Sequence, residues 1–164
     1  MPTLAPVEIE RICRTDRPSD SGMYRKVWFL GDVVIKRDNN DGATNRAEYD
    51  FYQNFTGGSF DVLGHSWRVC LPKTEMIGDY IVMERVRFPK LELGAGITLS
   101  GEWKCNYCTY NNADWEHESE CFGSELLECL DYYMTNEWGI YDIHQGNFMY
   151  DIYTRTVWVI DFAQ

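Results

Sequence analysis

The stretch GIYDIHQGNFMYDIYTRTVWVIDF, residues 139–162, carries three polar residues at a chemically meaningful spacing. Asn147 follows Asp142 by five residues, and Asp161 comes directly after a run of four apolar residues. This spacing is typical of a phosphoryl-transfer site. Asp142 would accept or orient the proton of the acceptor group, while Asn147 and Asp161 would hold the metal ion that bridges the nucleotide phosphates. The stretch therefore predicts a site for a metal-bound nucleotide.

The rest of the chain shows the hydrophobic periods of strands and helices. Runs of β-branched and aromatic residues around turn residues predict a hairpin near each end of the chain. Apolar residues at every fourth position, Ala47, Phe51 and Phe55, predict an amphipathic helix. We expect an α+β fold with strands at 27–30 and 33–36, a helix at 44–55, strands at 67–70, 74–77 and 80–86, a helix from 124 to 139, and strands at 148–150 and 156–160.

Length and composition are those of a globular protein. The chain has 164 residues, of which 45% are hydrophobic and 15% aromatic, enough for a core of ordinary size. It contains no run of 18 apolar residues, and its first residues lack the pattern of a signal peptide. Six cysteines without secretory context indicate free thiols or metal binding in a reducing compartment. We therefore expect a cytoplasmic protein with no membrane partner.

The net charge of −11 is unevenly distributed along the chain. Residues 1–40 contain seven Lys/Arg and six Asp/Glu, whereas the remainder contains eight Lys/Arg and twenty Asp/Glu. Such an acidic chain is unsuited to nonspecific contact with nucleic-acid phosphates, so we expect no direct nucleic-acid partner. The charge either keeps the protein in solution or serves a basic partner.

Lys36 ends the apolar strand VVIK, where its ammonium group would neutralise the α- and β-phosphates of a nucleotide. A lysine in that role needs a carboxylate to hold it, and Glu48 on the following helix is the natural partner. Taken alone, Lys36 looks like a surface lysine at the end of a strand. Its position in the chain, ahead of Asp142, Asn147 and Asp161, favours the phosphate role.

These motifs and the order of the elements resemble the protein-kinase-like superfamily over roughly residues 20–163. The resemblance implies an N-terminal lobe at 1–86, made of an antiparallel sheet plus a helix, and a reduced C-terminal lobe at 87–164 with a Cys-rich insert at 101–121. It also implies ATP and Mg²⁺ as cofactors. The sequence ends three residues after Asp161, so we expect little of the surface on which kinases dock an acceptor.

The resemblance also assigns residues that bind the nucleotide. In the strand YIVMERV, Met83 would be the gatekeeper side chain, and the Glu84 carbonyl and the Val86 amide would pair with the adenine edge. In the segment DSGMYRKV, Gly22 and Tyr24 match the loop that covers the phosphates. Because this loop lacks the outer glycines, either nucleotide binding is weaker than usual or the charge of the arginine and lysine that follow compensates for them.

The loop around Asp142 departs from that of most protein kinases. Tyr141 stands where they commonly have the Arg that contacts a phosphorylated activation loop, so we do not expect this control here. His144 lies two residues after Asp142, where most have Lys, and it joins the expected catalytic residues. The string D-x-H-x-G-N resembles small-molecule kinases of the aminoglycoside and choline type, and YDIHQGN resembles serine/threonine kinases encoded by bacteriophages.

The segment GEWKCNYCTYNNADWEHESEC, residues 101–121, has the spacing C-x2-C-x8-H-x3-C. Cys105, Cys108, His117 and Cys121 would make a complete tetrahedral set for structural zinc. The Trp and Asn that flank the Cys pair resemble the first knuckle of a small zinc ribbon, although the second C-x-x-C of such a ribbon is missing. Because the spacing matches no common zinc finger, the alternative is a flexible acidic insert.

The sequence thus predicts a minimal ATP- and Mg-dependent kinase that acts on a protein, such as a phage-encoded enzyme that modifies host proteins in the host cytoplasm. The alternative is a catalytically weak, kinase-derived binding protein that inhibits or modulates a partner enzyme. A truncated lobe would expose apolar surface, so we expect a protein partner or a second copy of the chain to cover it.

Overall fold

Mostly antiparallel sheets and a few helices give the chain an α+β fold, which divides into two units. The structure, a computed structural model, describes residues 4–21, 25–39, 42–62, 64–87, 115–141, 147–151 and 153–161, with only the backbone for 115–124. In chain order the elements are α1 Pro6–Thr15, β1 Asp20–Ser21, β2 Arg25–Leu30, β3 Val33–Asp38, α2 Ala43–Asn54, β4 Gly58–Val62, β5 His65–Cys70, β6 Thr74–Ile77, β7 Tyr80–Glu84, α3 Trp115–Trp138, β8 Phe148–Asp151 and β9 Thr156–Val159.

The first unit, Met1–Thr56 with Leu71–Arg87, is built on a five-stranded antiparallel sheet. Its strand order is β1-β2-β3-β7-β6, so β3 lies at the centre of the sheet. Register pairs Lys36 of β3 with Val27 of β2 and with Ile81 of β7. The predicted hairpin at 27–30 and 33–36 and the predicted strand at 74–77 are therefore present, and the strand predicted at 80–86 is present but ends at Glu84.

Helices cover both faces of this central strand. Side chains alternate along a strand, so Val33 and Ile35 lie on one face and Lys36 on the other. Val33 and Ile35 pack with Ile9 and Ile12 of α1, whereas Lys36 contacts α2. Helix α1 begins with Pro in its first turn and buries Ile9, Ile12 and Cys13.

The second unit, Gly57–Cys70 with Phe88–Gln164, contains a four-stranded sheet of order β4-β5-β9-β8. The predicted hairpin near the end of the chain is present as β8 and β9, with Phe148 opposite Val159. Strand β5 pairs in parallel with β9. This pairing groups residues 57–70 with the second unit, although the sequence analysis placed them in the first lobe.

Helix α3 begins at Trp115, nine residues before the predicted start at Ser124. Leu126, Leu130 and Met134, which are spaced by four residues, are fully buried. Gly139 adopts φ +66°, and its N–H donates to the Thr135 carbonyl at 3.1 Å, so the helix ends in a left-handed turn at the predicted glycine. None of the helices in the described ranges is long and apolar enough to span a bilayer.

Candidate functional site

A buried group of charges lies between β3 and α2 in the first unit. The Nζ of Lys36 donates to Oε1 of Glu48 at 2.8 Å, and these residues are only 4% and 1% exposed. The Tyr52 hydroxyl donates to the same oxygen at 2.9 Å. The guanidinium of Arg25, at the start of β2, forms an ion pair with the other oxygen, Oε2. One carboxylate therefore holds two cations and one hydroxyl group.

The face of α2 that meets the sheet is polar. Asn45, Glu48 and Tyr52 are its buried residues, at positions i, i+3 and i+7. The apolar residues that predicted this helix, such as Phe51, are only half-buried and pack beside the polar stripe. The helix was predicted correctly, but its inward face was not, because Lys36 and Arg25 stand opposite it and require polar partners.

One residue that sequence reasoning missed fixes the beginning of α2. Asp38, two residues after Lys36 and on the same face of β3, accepts hydrogen bonds from the backbone N–H groups of Gly42 and Asn45, both at 3.0 Å. It satisfies N–H groups at the helix start that otherwise lack partners, as an N-cap side chain does. The sequence contained a signal for this contact. Side chains two residues apart lie on the same face of a strand, so Asp38 lies on the same face of β3 as Lys36.

The β8–β9 hairpin brings together the two residues expected to hold magnesium. The Asn147 carbonyl accepts hydrogen bonds from the N–H groups of Ile160 at 2.8 Å and Asp161 at 3.3 Å. Asn147 is 3% exposed and Asp161 is partly exposed. Residues separated by fourteen positions in sequence thus lie at the same end of one hairpin. Asp142 and His144 lie outside the described residues.

The strand that the sequence analysis expected to contact adenine corresponds to β7. Met83 is buried in β7 opposite Val34, and Glu84, the last residue of β7, lies opposite Val33. Val86 follows the strand and is half-buried. The remaining two expected nucleotide-binding residues, Gly22 and Tyr24, lie outside the described residues.

The expected zinc ligands are described only in part. Cys105 and Cys108 lie outside the described residues. His117 and Cys121 occupy backbone positions four residues apart in α3, where the sequence analysis expected no helix. Among the described residues, no group of three His, Cys, Asp or Glu side chains could hold a metal ion.

The second unit also contains an open groove between β4 and α3, with a volume of about 540 Å³. Phe60 and Tyr133 stack in it with their ring centroids 5.8 Å apart, and Tyr132 is 73% exposed. Burial raises the pKa of the Cys129 thiol in its wall, and the charges of Glu125, Glu128 and Asp61 add to this effect. The lining residues, none of them basic, are Ser59, Phe60, Asp61, Glu128, Cys129, Tyr132, Tyr133, Asn136 and Glu137.

The two units differ strongly in charge. The first contains eleven Lys/Arg and twelve Asp/Glu, and the second contains four Lys/Arg and fourteen Asp/Glu. Comparisons with protein-family models, curated proteins and solved structures gave no match.

Proposed function

We propose that the chain is a minimal ATP- and Mg-dependent phosphotransferase of the protein-kinase-like type, acting on a protein. The observation that carries this proposal is the buried ion pair between Lys36 of the central strand and Glu48 of the next helix, 2.8 Å apart. In kinases a strand lysine and a helix glutamate form such a pair to position the nucleotide phosphates.

Stability alone does not account for this arrangement. Removing ions from water costs several kcal/mol each, roughly offsetting their attraction, so a buried ion pair contributes less than well-packed apolar residues would. Here Arg25, Lys36 and Glu48 are all largely buried in the first unit. Charged groups held at such cost are typical of functional sites.

The proposed roles follow the chemistry of each side chain. Lys36 neutralises the α- and β-phosphates, with Glu48 as its positioning partner, and Asp142 is the catalytic base, with His144 in the same loop. Asn147 and Asp161 offer an amide oxygen and a carboxylate, which suit Mg²⁺ because this ion prefers one or two hard oxygen ligands together with substrate phosphates. Bound Mg²⁺ would neutralise phosphate charge as it develops.

Transfer of label from γ-labelled ATP tests the proposal. Wild-type protein is expected to label itself or an added protein acceptor, and both Asp142→Asn and Asp161→Ala should abolish the labelling. Asp50→Asn, an exposed acid on α2, is the matched control and should keep wild-type activity. Absence of transfer from wild type under these conditions would overturn the catalytic proposal.

The groove in the second unit favours a second candidate function, the binding of a partner protein through a basic segment. Its walls carry Asp61, Glu128 and Glu137 beside exposed aromatic surface, and aromatic rings attract cations as carboxylates do. The excess of acidic residues in this unit would steer a basic partner toward it.

Fluorescence anisotropy with a labelled arginine- and lysine-rich peptide tests this second function. Glu128→Gln/Glu137→Gln should weaken binding about tenfold, whereas Glu10→Gln/Glu75→Gln, with the same change of charge on exposed residues of the first unit, should weaken it far less. Equal losses would indicate only general attraction by net charge. If wild type transfers no phosphate, yet it and Asp142→Asn bind the peptide equally, the binding function is the better description.

A further inference from the structure

A single buried amide, Asn45, joins α2 to two separate parts of the first unit's sheet. Its Nδ2 donates to the carbonyl of Lys36 at 2.9 Å and to the carbonyl of Asp79, in the β6–β7 turn, at 2.8 Å. Its backbone N–H donates to the Asp38 carboxylate at 3.0 Å. The residue is completely buried. Asn45 therefore contacts the backbone of the very residue whose side chain forms the ion pair.

The position of Asn45 on the helix links these bonds to the ion pair. Glu48 follows by three residues, so both lie on the same face of α2, one turn apart. A shift of α2 by one residue, or a rotation, would break both hydrogen bonds that the buried Nδ2 of Asn45 donates. Buried polar groups of this kind fix register because the alternative arrangements leave them unsatisfied.

We propose that Asn45 is a positioning residue that, with Asp38, holds α2 so that Glu48 stays against Lys36 whether or not a nucleotide is bound. The ion pair is then a permanent feature of the first unit, and helix movement does not switch it. The effect of Asn45 on ATP binding rests on the proposed function. Its effect on Lys36 does not, and the two are measured separately.

The first measurement is the rate at which an amine-acylating reagent modifies Lys36, followed by peptide mass spectrometry. In wild type the ion pair protects Lys36. Asn45→Ala should raise its modification rate at least fivefold, as Glu48→Gln should, and the double variant should react no faster than Glu48→Gln alone. Asn54→Ala, which removes an exposed amide at the far end of the same helix, is the matched control and should leave the rate unchanged. Exposed Lys73 serves as the internal reference.

The second measurement is nucleotide affinity. Asn45→Ala should weaken ATP binding about tenfold while leaving adenosine binding unchanged, and in the Glu48→Gln background it should have no further effect. Failure of wild type to bind ATP would count against the proposed function, while the lysine measurement would still decide the role of Asn45.

A purely structural role gives a different pattern. Asn45→Ala would then lower the urea midpoint but leave Lys36 modification and ATP affinity at wild-type values, or its effects would add to those of Glu48→Gln, and either result would overturn the proposal. If Asn45→Ala does not fold, Asp38→Asn is the second variant, since it weakens the helix start but keeps one acceptor oxygen. Asp38→Asn should also raise the rate of Lys36 modification. An unchanged rate would count against the proposal.

Discussion

Glu48 and Lys36 form an almost completely buried ion pair, with Oε1 2.8 Å from Nζ. Glu48 also receives the Arg25 guanidinium and the Tyr52 hydroxyl. The carboxylate is thus the centre of the group, and each cation is one of its ligands. The two residues should therefore differ in how much their loss destabilises the fold.

Glu48→Gln should be much more destabilising than Lys36→Met. Removal of the carboxylate takes away the anion that both buried cations contact, for which we expect a loss of about 3–5 kcal/mol in the free energy of unfolding. Removal of Lys36 leaves Glu48 paired with Arg25, and we expect roughly half that loss or less. Urea denaturation measures both. Glu10→Gln, in an exposed ion pair on α1, is the control and should change stability by less than about 1 kcal/mol. Equal losses for the two buried variants would contradict this asymmetry.

Gly42, just before α2, lies close to Asp79. Replacing Gly42 by Ala should therefore lower the free energy of unfolding by more than its backbone conformation alone explains. Its φ is +81°, and an added Cβ would lie 2.7 Å from Oδ1 and 2.9 Å from Cβ of Asp79. Gly31 also has a positive φ, +55°, but has no atom within 4 Å of such a Cβ. Gly31→Ala should therefore cost about 1–2 kcal/mol of stability, and Gly42→Ala should cost clearly more. If Gly31→Ala and Gly42→Ala gave the same urea denaturation curve, the close approach to Asp79 would make no contribution to the loss of stability.

Much of the first unit could be predicted from short-range patterns. The β2–β3 hairpin followed from β-branched residues around a two-residue turn, and α2 followed from its spacing of apolar residues. The proximity of Glu48 to Lys36 followed from the order strand, then helix. In each case the residues that carry the pattern lie within a dozen positions of one another. Over so short a distance, the geometry of the chain allows few other arrangements.

The polar contacts of α2 could not be predicted in the same way. Asn45 lies 34 residues before Asp79, whose carbonyl it contacts, and no period in the sequence joins them. The parallel pairing of β5 with β9 joins residues 88 positions apart, such as Arg68 and Thr156. Helical period pointed to Phe51 as an inward residue because the period reports apolar stripes and not buried charges. Long-range strand pairing and buried polar contacts are therefore visible only in the folded structure.

Magnesium should strengthen ATP binding in wild type but not in variants of Asn147 or Asp161, at the end of the β8–β9 hairpin. Asp161→Ala and Asn147→Ala each remove one proposed oxygen ligand, so we expect their ATP affinity to be the same with Mg²⁺ and with EDTA. Isothermal titration calorimetry in both conditions measures this. Asp131→Ala and Asn136→Ala on α3 are controls of the same residue types and should retain the magnesium dependence. Retention of that dependence in Asp161→Ala would refute its role as a ligand.

Zinc is expected at about one ion per chain, bound by Cys105, Cys108, His117 and Cys121. Elemental analysis of purified protein should find it, and Cys105→Ser/Cys108→Ser should lose it because two of the four ligands are gone. Cys70→Ser/Cys129→Ser removes the same number of thiols outside this set and should keep the metal. A well-folded wild-type protein that contains no zinc would eliminate the site.

Cys13 should respond to alkaline pH in a way that reports its burial on the face of α1 that packs against the sheet. Burial raises the pKa of its thiol to about 11, with a smaller contribution from Asp16 and an opposing one from Arg37. Because the thiolate is the reactive form, alkylation of Cys13 by iodoacetamide should keep rising about tenfold per pH unit up to about pH 11. A simple thiol such as N-acetylcysteine levels off roughly two units lower. Peptide mass spectrometry separates Cys13 from the other cysteines.

The same raised pKa makes stability depend on pH with a defined sign. The unfolded chain releases the Cys13 proton near 9.0, while the folded protein holds it to about 11. The contribution of this residue is therefore complete below pH 9 and is lost as the pH rises from 9 to 11. Cys13→Val removes the titrating group, so its free energy of unfolding should fall less steeply than that of wild type across this interval. Parallel slopes for the two proteins, measured by urea denaturation at intervals of half a pH unit, would show that the thiol stays as accessible to water in the folded protein as in the unfolded chain.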